Sequence, residues 1–321
     1  MKLFLLKRTL IALPVLFGIS VIVFALITLQ PGDPYASMID PSAPPEVKEE
    51  LLQRVGYYDP LAVKYVKWLG RAVTGDFGYS IHYGAPVLQV IGSRIGATLT
   101  LAAAALALTL VVSIPAGIYA ATHRNLRGDH AITVVSFVLL SVPTFFLGMV
   151  LIKIFAADLH LLPASGMRSV GVSTAGLAGV ADVASHLILP AVVLASLNIA
   201  VFSRYLRGGM SEILGQDFVV LLYAKGLSRN AVIWKHGLKN AAKPLITILT
   251  LEIPVLLSGA LLTETVFSWP GIGRLNFEAV QNRDYSLLMG IIMMLALITL
   301  VANLLADVLY AVVDPRVRVA R

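Results

Sequence analysis

Six long apolar runs, roughly at residues 9–30, 96–122, 131–157, 187–203, 244–268 and 286–311, constrain this chain more than any other feature. Each approaches or exceeds the ~20 residues that, at about 1.5 Å of rise each, cross a hydrocarbon core of about 30 Å. In lipid a backbone must satisfy its own hydrogen bonds, which leaves only helices or closed barrels. The short alternating segments of a barrel are absent. The chain therefore reads as an all-α membrane protein with six transmembrane helices. Composition agrees: 58% of the 321 residues are hydrophobic and 13% charged, with a mean hydropathy of +0.84. That is more apolar surface than one soluble core hides.

The net charge of +7 reads as membrane topology rather than nucleic-acid binding. With the N-terminus cytoplasmic, the inner side holds Lys2, Lys7, Arg8, Arg124, Arg127, Arg316, Arg318, Arg321 and the seven basic residues from Arg204 to Lys243. The short outer loops hold only Arg168, Arg274 and Arg283. This bias places both termini in the cytoplasm. The first run starts like a signal peptide, but its apolar part is about twice the usual length and no clear small-x-small site follows, so a retained helix is expected. With no cysteine, disulfides and thiolate metal sites are excluded.

Three units follow: residues 1–30 carry the first span, 31–95 a small helical extracytoplasmic cap, and 96–321 a five-helix core with an inner loop at 204–243. The cap opens on a turn at Pro31-Gly-Asp-Pro34. A short helix is expected after Ser42-Ala-Pro-Pro, over Glu46 to Val55, with Gly56 as its C-cap. A second follows Pro60, with Leu61, Tyr65, Trp68, Leu69 and Ala72 on one face. In the core, Pro115 is expected to kink the second span, Lys153 to snorkel from the third, and the fourth span to be the shortest.

Motifs for chemistry are missing. No G-x-x-x-x-G-K-[ST], H-E-x-x-H or G-x-S-x-G occurs, which argues against a nucleotide site of that kind and against an intramembrane protease. Of the acids in the spans, Asp307 and Glu264 lie near helix ends, whereas Glu252 is about 13 Å from the inner end of the fifth. A charge at that depth costs roughly 2.5–3.5 kcal/mol and usually has a reason to be there. Glu252, Ser258 and Glu264 are the candidates for a translocation path or gate. The alternative for Glu252 is a structural carboxyl hydrogen-bonded between helices.

The polar loop remains. Ser211 is expected to cap a short helix through Asp217, Gly226 to break the helix of Phe218–Lys225, and Ser228 to cap a further one. In that last helix Val232, Ile233 and His236 share a face, with Lys239 and Asn240 nearby. Composition alone fits an interfacial amphipathic element equally well.

The residues become specific at Leu214-Gly-Gln-Asp217, Tyr223-Ala-Lys-Gly-Leu-Ser-Arg229 and His236-Gly-Leu-Lys-Asn-Ala241. These resemble the cytoplasmic EAA loop of ABC-importer permeases, in particular the oligopeptide, dipeptide and nickel branch. Leu61 to Trp68, Gly75-Asp-Phe-Gly-Tyr-Ser80, Ser141-Val-Pro-Thr-Phe145, Glu264 to Gly273 and Asp314-Pro-Arg316 are similar to the same branch, so the resemblance covers nearly the whole chain. It departs at Val220, Leu221 and Leu222, where the family usually has polar or small residues; a more apolar docking surface is expected there.

The resemblance implies a non-catalytic, multi-pass permease subunit of the prokaryotic inner membrane, importing di- or oligopeptides, or alternatively nickel chelates or oligosaccharides. It implies a second homologous permease subunit, one or two cytoplasmic ATPases and an extracytoplasmic substrate-binding protein. This chain would carry no cofactor, ATP and Mg sitting on the ATPases. Tyr223, Ala224, Lys225, Gly226, Leu227, Ser228, Arg229, His236 and Asn240 would couple it to them. Two rivals stand beside this reading: a structural scaffold, and an ion-driven secondary transporter. The transporter would show internal repeats and paired mid-membrane charges, and neither is visible.

Overall fold

A computed structural model describes residues 2–29, 44–54, 58–172, 176–257 and 260–313. The expected turn at 31–34, the cap residues Ser42 and Gly56, Ser258, the side chain of Asp307 and the segment 314–316 lie outside the described residues. The fold is helical, with one two-residue hairpin in which β1 (Tyr79–Ser80) pairs antiparallel with β2 (Ala85–Pro86).

α1 (Lys2–Thr28) takes the first apolar run, and the short helices α2 (Pro45–Arg54) and α3 (Leu61–Val73) follow. Of the predicted face of α3, Tyr65, Trp68, Leu69 and Ala72 are half-buried and Leu61 is exposed. Tyr65 hydrogen-bonds Ser20 (2.7 Å) and meets Phe17 and Phe24 edge-on, and Trp68 sits between Phe24 and Phe77. α3 therefore lies against the C-terminal half of α1 rather than standing clear of the spans.

α4 (Val87–Thr122) is 36 residues long and runs without interruption through Pro115. Its length, about 54 Å by helical rise, exceeds a bilayer core. Residues 87–95, expected in the cap, are its first turns. They are held there because Val87, Val90 and Ile91 are buried against Ile272, Leu275, Leu287 and Ile291.

The third run does not form one helix. α5 (Arg127–Ser141) and α6 (Thr144–Leu151, continued as a π-helical stretch Ile152–Asp158) meet at 103°. Pro143 forces the break, since the residue before a proline avoids the α region, and Val142 is extended at φ −84 and ψ 123. Lys153 pairs with Asp158 at 2.7 Å, both exposed.

α7 (Gly176–Leu214) corrects the expected shortest span, because at 39 residues it is the longest described helix. Its apolar face does not stop at Arg204: Leu206 and Met210 are fully buried against Ile118, Ile233, Ala241 and Leu245. Ser211 consequently sits inside α7 and caps nothing. The fifth run divides into α10 (Lys243–Leu257) and α11 (Leu261–Val266), and α12 (Ile272–Gln281) leads to α13 (Tyr285–Val313). Among the described residues, α1, α4, α7 and α13 are each long and apolar enough to cross a membrane, and the bent α5–α6 pair makes a fifth candidate.

α4 and α7 form the most extensive helix pair. Small residues permit it: Ala97, Ala102, Ala105, Ala191, Ala195 and Ala200 are buried, and a Cβ on Gly117 would stand 2.8 Å from Leu206 Cβ and 3.0 Å from Ser203 O. Gly96, on the same helix, has nothing within 4 Å of that position. Gly117→Val is therefore expected to cost about 1–3 kcal/mol by overpacking. Gly96→Ala should stay within about 1 kcal/mol of wild type. Thermal unfolding midpoints of the two variants in detergent check the contrast.

Candidate functional site

The polar loop folds into a platform at the end of α4 opposite the hairpin. After a turn at Gly215-Gln216 comes α8 (Asp217–Ala224), with Asp217 in its first turn where an acid suits the helix dipole. Gly226 ends it at φ +79. Leu227 N bonds Leu222 O (3.2 Å) across that glycine, the 6→1 bond of a left-handed helix cap. Ser228 opens the next helix, Val232 N bonding its carbonyl at 3.0 Å and Ala231 N reaching Oγ at 3.4 Å. The chain continues as a π-helical stretch (Ala231–Gly237) into α9 (Leu238–Ala241).

Packing decides which way the platform faces. Val219, Val232 and Ile233 are buried, so the opposite sides of both helices face outward. Val220 (68% exposed), Leu221 (55%) and Tyr223 form an apolar strip, followed by exposed Ala224, Lys225, Gly226, Ser228 and Arg229. Leu227 and His236 are half-buried, and Asn240 donates from Nδ2 to His236 O at 3.0 Å. Trp234, exposed and large, lies on the same platform. The sequence reading missed it because it weighed only the buried face of that helix. A cleft of about 580 Å³ lies between the end of α7, the start of α8 and α9, lined by Gly209, Glu212, Ile213, Gln216, Phe218, Asn240 and Ala241.

An ion pair between buried Asp129 and half-buried Arg207 fastens the platform end of α7. Arg207 donates from Nε to Asp129 Oδ1 (2.5 Å) and from Nη2 to Oδ2 (2.8 Å), and Asn125 N adds a third bond at 2.9 Å. Asp129 is buried at the first turn of α5, so this fork locks the α4–α5 turn to α7. From sequence, both residues read only as inner-loop charges.

The two described path candidates differ. Glu252 is half-buried on α10 and makes no hydrogen bond among the described residues, beside exposed Leu251 and Val255. Glu264 is 0% exposed. Its carboxylate accepts from Thr98 Oγ1 (3.0 Å) and Arg274 N (2.9 Å), and Thr98 Oγ1 in turn accepts from Ile272 N (2.8 Å). The glycines of Trp269-Pro-Gly-Ile-Gly273 are needed because the chain wraps this carboxylate: a Cβ on Gly271 would stand 2.3 Å from Glu264 Cδ. Trp269 is fully buried and satisfies its indole N–H on Ala97 O at 2.9 Å.

At the hairpin end, Tyr83 donates its hydroxyl to Glu278, which also accepts from Arg274 Nε at 2.8 Å. Burial, and then the Glu278 carboxylate, push Tyr83 up to about 12. Burial opposes the charge on Glu278, but the bonds from Tyr83 and Arg274 outweigh it and hold that carboxyl below its usual range.

Comparison with known proteins decides what carries this platform. Residues 113–319 match the family described as "Binding-protein-dependent transport system inner membrane component", and residues 1–102 match the N-terminal region of such membrane components. The chain belongs to this family. Curated relatives of this permease include the "Oligopeptide transport system permease protein AppB" of Bacillus subtilis (strain 168), 39% identical over 318 residues and 99% of both chains. The "Dipeptide transport system permease protein DppB" of Escherichia coli (strain K12) is 36% identical over 333 residues, 98% of each chain. Among solved structures, the permease resembles a chain of the MetNI methionine ABC transporter in an inward-facing conformation, with a TM-score of 0.56 and 13% identity, covering 71% of this chain and 97% of that one. At that identity the likeness is one of fold.

The latch around Glu264 yields a test. Glu264→Ala removes the acceptor of Arg274 N and Thr98, at about 1–3 kcal/mol for each group left unsatisfied. The variant is expected to unfold at a lower temperature and to be cut faster by trypsin at Arg274, with Glu264→Gln between it and wild type.

Proposed function

We propose that this permease is the membrane-spanning subunit of an ATP-driven importer of di- or oligopeptides, with six spans, both termini cytoplasmic and the platform docked on cytoplasmic ATPases. The observation that carries the docking assignment is the exposed apolar strip Val220, Leu221 and Tyr223 beside the basic turn Lys225–Arg229. Water disfavours three neighbouring apolar side chains, and a partner that covers them gains about 1.5–3 kcal/mol for each one fully buried. The basic excess on that side of the membrane supports the cytoplasmic placement. The peptide class rests on the activities named for the full-length relatives.

In this reading ATP and Mg act on the partner subunits. Closure of the ATPase dimer moves α8 and the helix after Gly226. Because Ile233 and Ala241 share a core with Leu206 and Met210, that movement passes into α7 and its tightly packed partner α4. A second homologous permease completes the path, and an extracytoplasmic binding protein delivers substrate at the hairpin end. Tyr223, Ala224, Lys225, Leu227, Ser228, Arg229, His236 and Asn240 shape or face the dock, and Glu252 is the candidate polar group of the path.

Gly226→Val tests the turn. A Cβ there would meet nothing within 4 Å, so the effect is confined to the backbone, about 1–2 kcal/mol for a left-handed residue. Peptide uptake by reconstituted vesicles is expected to fall about tenfold while ATP hydrolysis persists; wild-type values for both would remove the coupling role. Replacing Val220 and Leu221 together by serine is expected to weaken ATPase binding to the permease in nanodiscs about tenfold or more. Unchanged binding would place the dock elsewhere.

A further inference from the structure

A continuous hydrogen-bonded chain leads from the hairpin to the helix that follows the divided fifth run. Tyr83 Oη donates to one oxygen of Glu278, and Arg274 Nε donates to the other. The backbone N–H of the same Arg274 donates to Glu264, which also holds Thr98 on α4. Arg274 thus joins two carboxylates, one reached from the surface hairpin and one buried against α4. A second fastening differs in kind: Asp284 is buried and accepts from Ser80 Oγ (2.5 Å), His82 N (3.1 Å) and Leu287 N (3.1 Å). Three neutral donors satisfy it in place, which suits a permanent anchor. The Tyr83–Glu278 contact is only half-buried, which leaves it accessible to solvent.

We propose that Tyr83 and Glu278 are positioning residues that report the state of the hairpin face to α12, so that docking of the loaded binding protein is felt at Glu264 and stimulates hydrolysis on the far side. Asp284 keeps the hairpin attached while the Tyr83–Glu278 bond makes and breaks. The inference rests on the permease reading and adds to it a route from the outer surface to the latch.

The test uses the complete complex in nanodiscs, with its ATPases and the binding protein loaded with tryptic casein peptides. Basal and stimulated ATP hydrolysis are measured as the binding protein is titrated. Tyr83→Phe removes one hydroxyl and is expected to lower maximal stimulation about fivefold or more, with basal rate and half-saturating binding-protein concentration within about twofold of wild type. Glu278→Gln should do the same, and the double variant should be no worse than either single one, because Tyr83 and Glu278 act in series on one route. Full stimulation in Tyr83→Phe overturns the proposal. So do additive losses, or basal and stimulated rates falling together with the thermal midpoint, which would mark a merely structural bond. If Glu278→Gln does not assemble, Tyr83→Phe decides alone. A wild-type complex that shows no stimulation overturns the permease reading itself, and the proposal with it.

Discussion

The close approach of α4 and α7 is the constraint on which the rest depends. Lipid offers no hydrophobic incentive for two apolar helices to associate, so the association relies on packing that small residues make possible. At Gly117 the two helices are near enough that one methyl group would collide with Leu206 and with the carbonyl of Ser203. This pair connects two separate cores. At one end α4 packs on α12 and α13 through Val87, Ile91, Ile272 and Leu287. At the other, both helices share a core with the platform through Ile118, Leu206, Met210 and Ile233. The platform is therefore packed on the same helix pair that reaches the hairpin end.

Polar groups fix what apolar packing leaves free. Removing a carboxylate from water is costly unless hydrogen bonds replace its hydration, and the buried acids Asp129, Glu264 and Asp284 each accept several bonds. Each joins segments far apart in sequence: α5 to α7, α11 to α4, the hairpin to α13. Apolar side chains alone would tolerate sliding of these helices; a forked ion pair such as Asp129–Arg207 does not.

Local signals in the sequence located much of this. Apolar length located the four long helices α1, α4, α7 and α13, helical spacing picked out Tyr65 and Trp68 on the packed side of α3, and glycine placed the left-handed turn at 226. Features set by distant partners were invisible. The extension of α7 to Leu214 depends on Met210 meeting Ile233 and Ala241, more than twenty residues on. The polar character of Arg204 to Ser211 hid it by suggesting a loop. Nothing near Glu264 in sequence reveals that Thr98 and the backbone of Arg274 satisfy its carboxylate. Pro143 was legible in principle, since proline disfavours helix at the residue before it. The apolar residues on both sides concealed the break by keeping the hydropathy of a single span.

The apolar strip on α8 bears on how such a dock would hold. Exposed ion pairs are worth about 0–1 kcal/mol each and weaken with salt, whereas full burial of one large aliphatic side chain is worth about 1.5–3 kcal/mol. If the platform is the ATPase dock, as proposed, Val220 and Leu221 set the strength of the contact. Lys225 and Arg229, one turn further on and exposed, then set its approach and register, the part that charge plays best at an interface. Gly226 separates the two kinds of contact. Its left-handed conformation turns the chain between α8 and the following helix, so that the apolar strip holds while the basic turn orients. A dock built in this way grips without depending on ionic strength, and it needs no charge buried at the point where force is passed on.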